Sequence, residues 1–318
     1  MEQFLELSKL AINMKNKENT VHETNITEGE KVAREFVLDA LLSLIHDGKA
    51  DCELTIKYYA TKIIRYVRNT FAREFWAQFK LGDNPEYQDY YKGLVHFSQW
   101  FQPLTRICIT SVKFDVECIA ISSVEHLYTK HPQHTLFDAE KFTARNTTNT
   151  ILNTKHNVEP FRKYLFPVMT LHQESEFNAK ETFQLLDALN HVMFEEKGFR
   201  ANTSNYYNPN NSFIDKVLET RQGIQITLCV LYALIAERLG IALDPINFPR
   251  HFLLRLKMDD KDRTYIDVFQ KGKRLTEAEV KDMDEENTTE YHVAKPIEVS
   301  CKRILRSIIN WYKFRPLE

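Results

Sequence analysis

The fold is decided by residues 198–256, GFRANTSNYYNPNNSFIDKVLETRQGIQITLCVLYALIAERLGIALDPINFPRHFLLRL, and by TYIDVF at 264–269. A polar loop rich in Asn and Tyr leads into a short helix and then into a long apolar helix that Gly223 opens. Two strands are predicted next, over 251–257 and 264–269, with His251 at the start of the first and Asp267 inside the second. The order is therefore a helix, a strand with a histidine and a strand with an aspartate.

This order is the layout of a papain-like or transglutaminase-like core, in which a nucleophilic cysteine begins the helix. A symmetric hairpin register places His251 opposite Asp267, with Cβ atoms about 4.5–5.5 Å apart. We therefore expect a hydrogen bond between the two side chains. That bond would either orient an imidazole of catalytic origin or tie two strands together as a structural pair, and the sequence leaves both readings open.

The start of the long helix, where the nucleophile is expected, offers Gln225 and Thr227 and no cysteine. An amide cannot attack, and a threonine hydroxyl lacks the acidity of a thiol and can also cap the helix. Cys229 could share the face of Gln225 one turn deeper, but a cysteine inside a helix is usually a small buried hydrophobe. We therefore predict no enzyme and no catalytic residue, with His251, Asp267 and Thr227 as the remains of a triad. The alternative is an active acyl-transfer enzyme, of the transglutaminase or protease kind, with the same His–Asp pair and Thr227 or Cys229 as nucleophile.

The loop YYNPNNS, residues 206–212, carries many hydrogen-bonding groups just before the short helix. Asn211 or Ser212 is expected to be an N-cap, and the tyrosines are expected to pack on the core as a lid. Loops on a rigid scaffold often carry function, so a ligand-lining role stays open. The candidate residues of a cleft are Tyr206, Tyr207, Asn211, Gln225 and Cys229.

The composition is that of an ordinary folded protein, with 318 residues, 43% hydrophobic, 27% charged and a formal charge of −2. No basic field favours nucleic acid, and we expect none to bind. The five cysteines are spread widely without a C-x-x-C pair, which favours reduced thiols in a cytoplasmic or nuclear protein. Neither a signal peptide nor a membrane span is found. No phosphate-binding loop and no His/Cys metal spacing is present, so no cofactor and no metal site are predicted.

The stretch from Gly198 to Asp267 resembles the SirB-type transglutaminase-like family. The matching pieces are GF, then Asn202, YYNPNNS, VLETRQGI, ITL, LYALIAERLG, INFP-HFLLR and IDVF. The family has a proline at the start of the long helix, where this chain has Gln225. Because the superfamily cysteine is generally missing in this family, the resemblance implies a pseudoenzyme.

The upstream pieces LTIKYYATKIIRYVRN, YYKGLVHFSQWFQPLT and LLDALNHVMFEE resemble the middle region of the family of F-box only protein 21. In that family an F-box, which recruits Skp and cullin subunits, precedes this region, and a hemimethylated-DNA-binding-like domain follows it. The resemblance covers about residues 29–312. It implies the substrate-binding part of an SCF-type ubiquitin-ligase receptor, with a protein substrate or partner. We find no F-box pattern in residues 1–28 and expect that the chain alone does not bind the Skp adaptor.

The predicted fold class is α+β and mostly helical, with a helical N-terminal region beside a transglutaminase-like (papain-like) domain that has a small antiparallel sheet. Helices are predicted from Glu30, with Phe36 on the inner face, and over 51–70, with Tyr59 on the inner face. Thr276 and Glu279 form a capping-box pattern for a short helix. The predicted domains are a flexible arm at 1–28, a helical region of the F-box only protein 21 type at 29–160 and the SirB-type transglutaminase-like domain at 161–318.

Overall fold

The computed structural model describes residues 28–46, 54–80, 90–138, 165, 177–248, 251–256 and 263–283. The chain forms two compact units, Met1–Ile107 and Cys108–Glu318. The N-terminal arm predicted at 1–28 lies, apart from its last residue, outside the described residues. No helix in the described part of the chain is long and apolar enough to cross a membrane.

Most described residues are helical. In the first unit the α-helices are α1 (Glu28–His46), α2 (Leu54–Lys80) and α3 (Tyr90–Phe101). In the second unit they are α4 (Ile109–Lys130), α5 (Ala179–Asn190), α6 (Ile214–Thr220), α7 (Gln225–Arg238) and α8 (Glu277–Asp282), and a π-helical turn, His191–Glu196, continues α5. The strands are β1 (Arg200–Ala201), β2 (Gln222–Gly223), β3 (Leu243–Phe248), β4 (His251–Leu256), β5 (Thr264–Asp267) and β6 (Lys273–Thr276). The predicted α+β class, mostly helical with a small antiparallel sheet, is confirmed.

The core of the first unit lies between α1 and α2. Buried apolar side chains of both helices fill it: Val37, Leu38, Leu41, Leu42, Ala60, Ile64 and Val67. Beside them, Nη1 of Arg34 contacts both carboxylate oxygens of Glu74, at 3.0 and 2.9 Å. Phe36 and Tyr59 are exposed, so their predicted inner positions are wrong. The buried arc of α1 includes Leu38, and position 36 lies about 200° around the helix from it.

Helix α7 is the centre of the second unit. Its residues from Gln225 to Tyr232 and from Leu234 to Ala236 are all buried. A helix that is buried on all sides must be surrounded by other elements, and α4, α5, α6, β3 and β4 pack around it. In its last turn, Nη2 of Arg238 lies 3.0 Å from Oε1 of Glu117 in α4. The start of α7, where a nucleophile would stand, is thus inside this packed unit.

The sheet is an antiparallel meander in the order β3-β4-β5-β6. Side chains alternate between its two faces, and paired residues of neighbouring strands share a face. One face carries a buried cluster that α8 completes: Ile246, Leu253, Tyr265, Leu275 and Val280. The predicted capping box at the start of α8 is confirmed, since Thr276 and Glu279 each accept from the other's backbone.

Helix α4 packs against α5 and α7 and belongs to the second unit. The sequence analysis placed this segment in the helical N-terminal region, with a boundary at residue 160. Because residues 139–164 lie outside the described residues, that boundary stays a prediction. In the described part, α4 contributes to the core around α7 although it precedes the predicted domain.

Candidate functional site

The start of α7 is fixed by the turn that precedes it. Arg221 ends α6 in the left-handed conformation, with φ 61°. A Cβ on Gly223 would lie 3.1 Å from Cγ of Leu228, so only glycine allows this close approach without a shift. Ile224 is the N-cap of α7, and its backbone N–H donates to the carbonyl of Asn211 at 3.1 Å. The helix therefore begins at Gln225, the position at which the SirB-type family that the sequence resembles has a proline.

The first turn of α7 carries two buried polar side chains. Gln225 is 7% exposed and Thr227 is fully buried. Among the described residues, neither Nε2 of Gln225 nor Oγ1 of Thr227 finds a hydrogen-bond partner. Thr227 does not have the capping role considered for it, because Ile224 is the N-cap of α7. A buried polar atom without a partner costs about 1–3 kcal/mol.

Replacing Thr227 with valine is expected to stabilise the protein by about 1 kcal/mol, because it removes an unpartnered buried hydroxyl and keeps the side-chain shape. Thr182→Val is the matched control. Thr182 is also fully buried, but its Oγ1 donates to the carbonyl of Phe177 at 3.4 Å, so its loss is expected to destabilise. Urea titration of both variants measures the two changes. Destabilisation by Thr227→Val would show that this hydroxyl has a partner, such as a bound water.

Cys229 lies one turn along α7 from Gln225 and is fully buried. Its Sγ donates to the backbone carbonyl of Phe252 in β4 at 3.3 Å. Reactive thiols lie in accessible surroundings that favour the thiolate, whereas buried structural cysteines are inert. The position of Cys229 therefore matches the small buried hydrophobe that a cysteine inside a helix usually is.

His251 and Asp267 do not face each other across the hairpin. Leu254 pairs with Ile266, and extending this register puts Asp267 opposite Leu253. The predicted pairing of His251 with Asp267 is therefore wrong by two residues. The shift leaves both side chains on one face but makes them diagonal neighbours, which are about 7–8 Å apart in a sheet.

The Asp267 carboxylate is held by its own turn. Oδ1 accepts from the backbone N–H of Phe269 at 3.0 Å and of Gln270 at 3.2 Å, and Oδ2 accepts from Nε2 of Gln270 at 2.9 Å. Asp267 is thereby the N-cap of the 3₁₀ turn Val268–Gln270. Among the described residues, these groups supply the hydrogen bonds to Asp267, so the bond predicted from His251 is not formed.

The loop before α6 is held together by asparagine side chains. Nδ2 of Asn211 donates to the carbonyl of Asn205 at 2.7 Å, and its Oδ1 accepts from Nδ2 of Asn202 at 3.0 Å. The predicted N-cap at Asn211 or Ser212 is wrong, because α6 is capped by Phe213 without a side-chain bond. The amide of Asn211 is instead used inside the loop, which fixes the backbone that receives the start of α7.

The two tyrosines of the loop have different environments. The rings of Tyr206 and Tyr207 meet edge to face with centroids 5.3 Å apart. Tyr206 also meets the ring of Phe269 at 6.3 Å, which brings the loop beside the turn that Asp267 caps. Tyr207 is 50% exposed. Tyr206 thus packs beside Phe269, whereas Tyr207 presents its ring to solvent, and a lid role for the two tyrosines stays a prediction.

Two residues of this site have no role in the sequence analysis: Gln270, which holds Asp267, and Asn202, which holds Asn211. A signal for the first exists, because an aspartate often bonds the backbone two and three residues ahead of it. For Asn202 the sequence offers no such signal beyond its match to the family. Its bond to Asn211, nine positions away, follows no local pattern.

The comparison with known families fits this geometry. Residues 161–306 match the family described as the Transglutaminase-like superfamily, and α7, His251 and Asp267 lie inside the match. This segment is a transglutaminase-like domain. The fold expected from the order of helix, His strand and Asp strand is therefore confirmed.

The transglutaminase-like domain and the residues before it are also similar to curated proteins. F-box only protein 21 is 31% identical in mouse and 32% identical in human over 256 residues, which are 78% of this chain and 35% of each relative. A UPF0162 protein of Xylella fastidiosa is 40% identical over 95 residues, which are 30% of this chain and 34% of that protein. The chain thus spans about a third of the length of the curated relatives it matches. No solved structure matches it significantly.

Proposed function

We propose that the chain is a non-catalytic protein-interaction module, the substrate-binding part of an SCF-type ubiquitin-ligase receptor. Its similarity to F-box only protein 21 supports the ligase context. In such a receptor this part holds the protein substrate, and the F-box of intact family members recruits the Skp and cullin subunits. The proposal places the chain in the cytoplasm or the nucleus, and the lack of a C-x-x-C pair among its five cysteines supports a reducing compartment.

The observation that carries the proposal is the chemistry at the start of α7. The first turn offers the amide of Gln225 and a fully buried hydroxyl, and the thiol of Cys229 is bonded to a backbone carbonyl. The carboxylate of Asp267 is held by its own turn. Acyl transfer needs a nucleophile, a base and an orienting group in contact. A scaffold kept for binding fits these contacts better than an acyl-transfer enzyme that uses Thr227 or Cys229 with His251.

A surface for binding is available on the loop at 206–212. The asparagine network fixes its backbone, and Tyr207 is half exposed on it. Tyrosine buries a large area with few rotatable bonds and is common among the residues that dominate protein interfaces. Because the loop is already ordered, little conformational entropy is lost when a partner binds.

The absence of thiol catalysis is tested by alkylation of the native protein near neutral pH. Exposed Cys108 is expected to react, while buried Cys229 stays unmodified, and peptide mass spectrometry reads both sites in one sample. Cys108 is therefore the internal control for reagent and time. Stoichiometric labelling of Cys229 by an electrophile directed at active sites, lost in His251→Ala, would instead support the acyl-transfer enzyme.

The binding role is tested by Tyr207→Ala in cells, with affinity purification and quantitative mass spectrometry. A partner held by the loop is expected to bind about tenfold or more weakly to the variant, as for a central interface tyrosine. Tyr128→Ala is the matched control, since Tyr128 is 46% exposed on α4. Equal capture of the partner by both variants would show that the loop is not the binding surface. A captured partner whose ubiquitination does not depend on the chain would contradict the ligase context.

A further inference from the structure

Two histidines and a glutamate converge on the surface of the second unit, away from the start of α7. Oε1 of Glu196 lies 3.4 Å from Nε2 of His191 and 3.7 Å from Nδ1 of His126. The two imidazole rings stack with centroids 4.1 Å apart and planes 27° from parallel. One ligand atom from each of the three residues lies within 4.8 Å of the other two.

The π-helical turn brings two of these residues together. In an α-helix, residues five apart point about 140° away from each other. The turn His191–Glu196 has the wider geometry of the π-helix, in which bonds join residues five apart. The N–H of Lys197 accordingly donates to the carbonyl of Val192 at 2.8 Å. His191 and Glu196 thereby face the same way, and α4 supplies His126 from the neighbouring helix.

An ion pair alone does not account for the cluster. The two imidazole rings stack at 4.1 Å beside one carboxylate, and two positive charges at that distance would repel each other. A neutral imidazole offers a lone pair rather than a charge. A divalent cation can use two such lone pairs and the carboxylate at once.

The distances suit a four-coordinate metal. Zinc–nitrogen and zinc–oxygen bonds of about 2.0–2.2 Å place tetrahedral ligand atoms about 3.4 Å apart. The separations of Oε1 of Glu196 from the two imidazole nitrogens, 3.4 and 3.7 Å, are close to this value. The His191 and Glu196 side chains are each 44% exposed, so they have room to turn their lone pairs inward.

We propose that His126, His191 and Glu196 form a binding site for a divalent transition metal of the zinc type, with water as the fourth ligand. Imidazole ligands select zinc, copper or nickel over magnesium and calcium, which prefer oxygen ligands alone. The metal would clamp α4 to the π-helical turn. The site is separate from the proposed substrate-binding function and does not depend on it.

Zinc titration of the full chain against a chromophoric chelator tests the site. The wild type is expected to bind one zinc ion that magnesium does not displace, and both His191→Ala and Glu196→Gln should weaken this binding at least tenfold. His131→Ala is the matched control, because His131 is an exposed histidine just after α4 and outside the cluster. It should bind zinc like the wild type.

Thermal unfolding gives a second readout that does not depend on the chelator. Zinc in large excess over its dissociation constant should raise the unfolding midpoint of the wild type and of His131→Ala by about 5 °C. It should leave Glu196→Gln, a conservative change of a half-exposed side chain, unshifted. Equal zinc binding by all variants, or none by the wild type, would overturn the proposal.

Discussion

Gly272→Ala is expected to destabilise the second unit by about 3 kcal/mol, since strain in the backbone and overpacking act together. Gly272 has φ +75°, which L side chains rarely adopt. Its Cβ would also lie 2.6 Å from Cγ and 2.8 Å from Nδ2 of Asn190. The Asn190 side chain cannot easily move away, because Tyr232 donates to its Oδ1 at 2.9 Å and its Nδ2 donates to the carbonyl of Gly272 at 3.3 Å.

The chain offers a matched control at Gly198. This glycine has φ +72°, but a Cβ there would meet nothing within 4 Å, so Gly198→Ala should cost only the backbone strain, about 1 kcal/mol. Urea titration of both variants separates the clash from the strain. In an Asn190→Ala background the cost of Gly272→Ala should fall to that of Gly198→Ala. Equal losses of unfolding free energy for the two glycine substitutions in the wild type would mean that the Asn190 side chain moves away from the added Cβ.

Acidification from pH 7 to pH 4 is expected to remove about 3 kcal/mol of stability from the first unit through His96 alone. Burial, together with the positive charges of Arg68 and Lys92, lowers the pKa of His96 from 6.5 to about 4. The ring stacks on Phe75 with centroids 4.0 Å apart. Between pH 6.5 and pH 4 the His96 side chain is protonated in the unfolded chain and neutral in the native chain. Stability is therefore full above pH 6.5 and falls as the pH approaches 4.

His96→Phe isolates this effect, because phenylalanine keeps a ring beside Phe75 and cannot titrate. The difference in unfolding free energy between wild type and variant should change by about 3 kcal/mol across this pH range. Hydrogen exchange of peptides from α3 reads the stability of the first unit. His46→Phe, at the exposed end of α1, is the control for the loss of a histidine from the first unit. A pH profile shared by wild type and His96→Phe would contradict the lowered pKa.

Much of the fold could be predicted from the sequence because its signals are local. The sequence predicts a long apolar helix after Gly223, and α7 is buried from Gln225 to Ala236 except at Ala233. The pattern of Thr276 and Glu279 predicts a capping box that the structure contains. The missing cysteine at the helix start is read directly from the sequence. Each signal spans a few residues, so periodicity, side-chain size and capping chemistry suffice.

The arrangement of the site depended on tertiary structure. The register between β4 and β5 differs by two residues from the symmetric one, which puts Asp267 diagonal to His251 rather than opposite it. No local pattern places His126 beside His191, or Gly272 against Asn190, because these residues meet only when separate elements pack. Sequence by itself determined which helices and strands form and that no cysteine opens α7. Packing decided register and side-chain partners, since these depend on contacts between residues far apart in the chain.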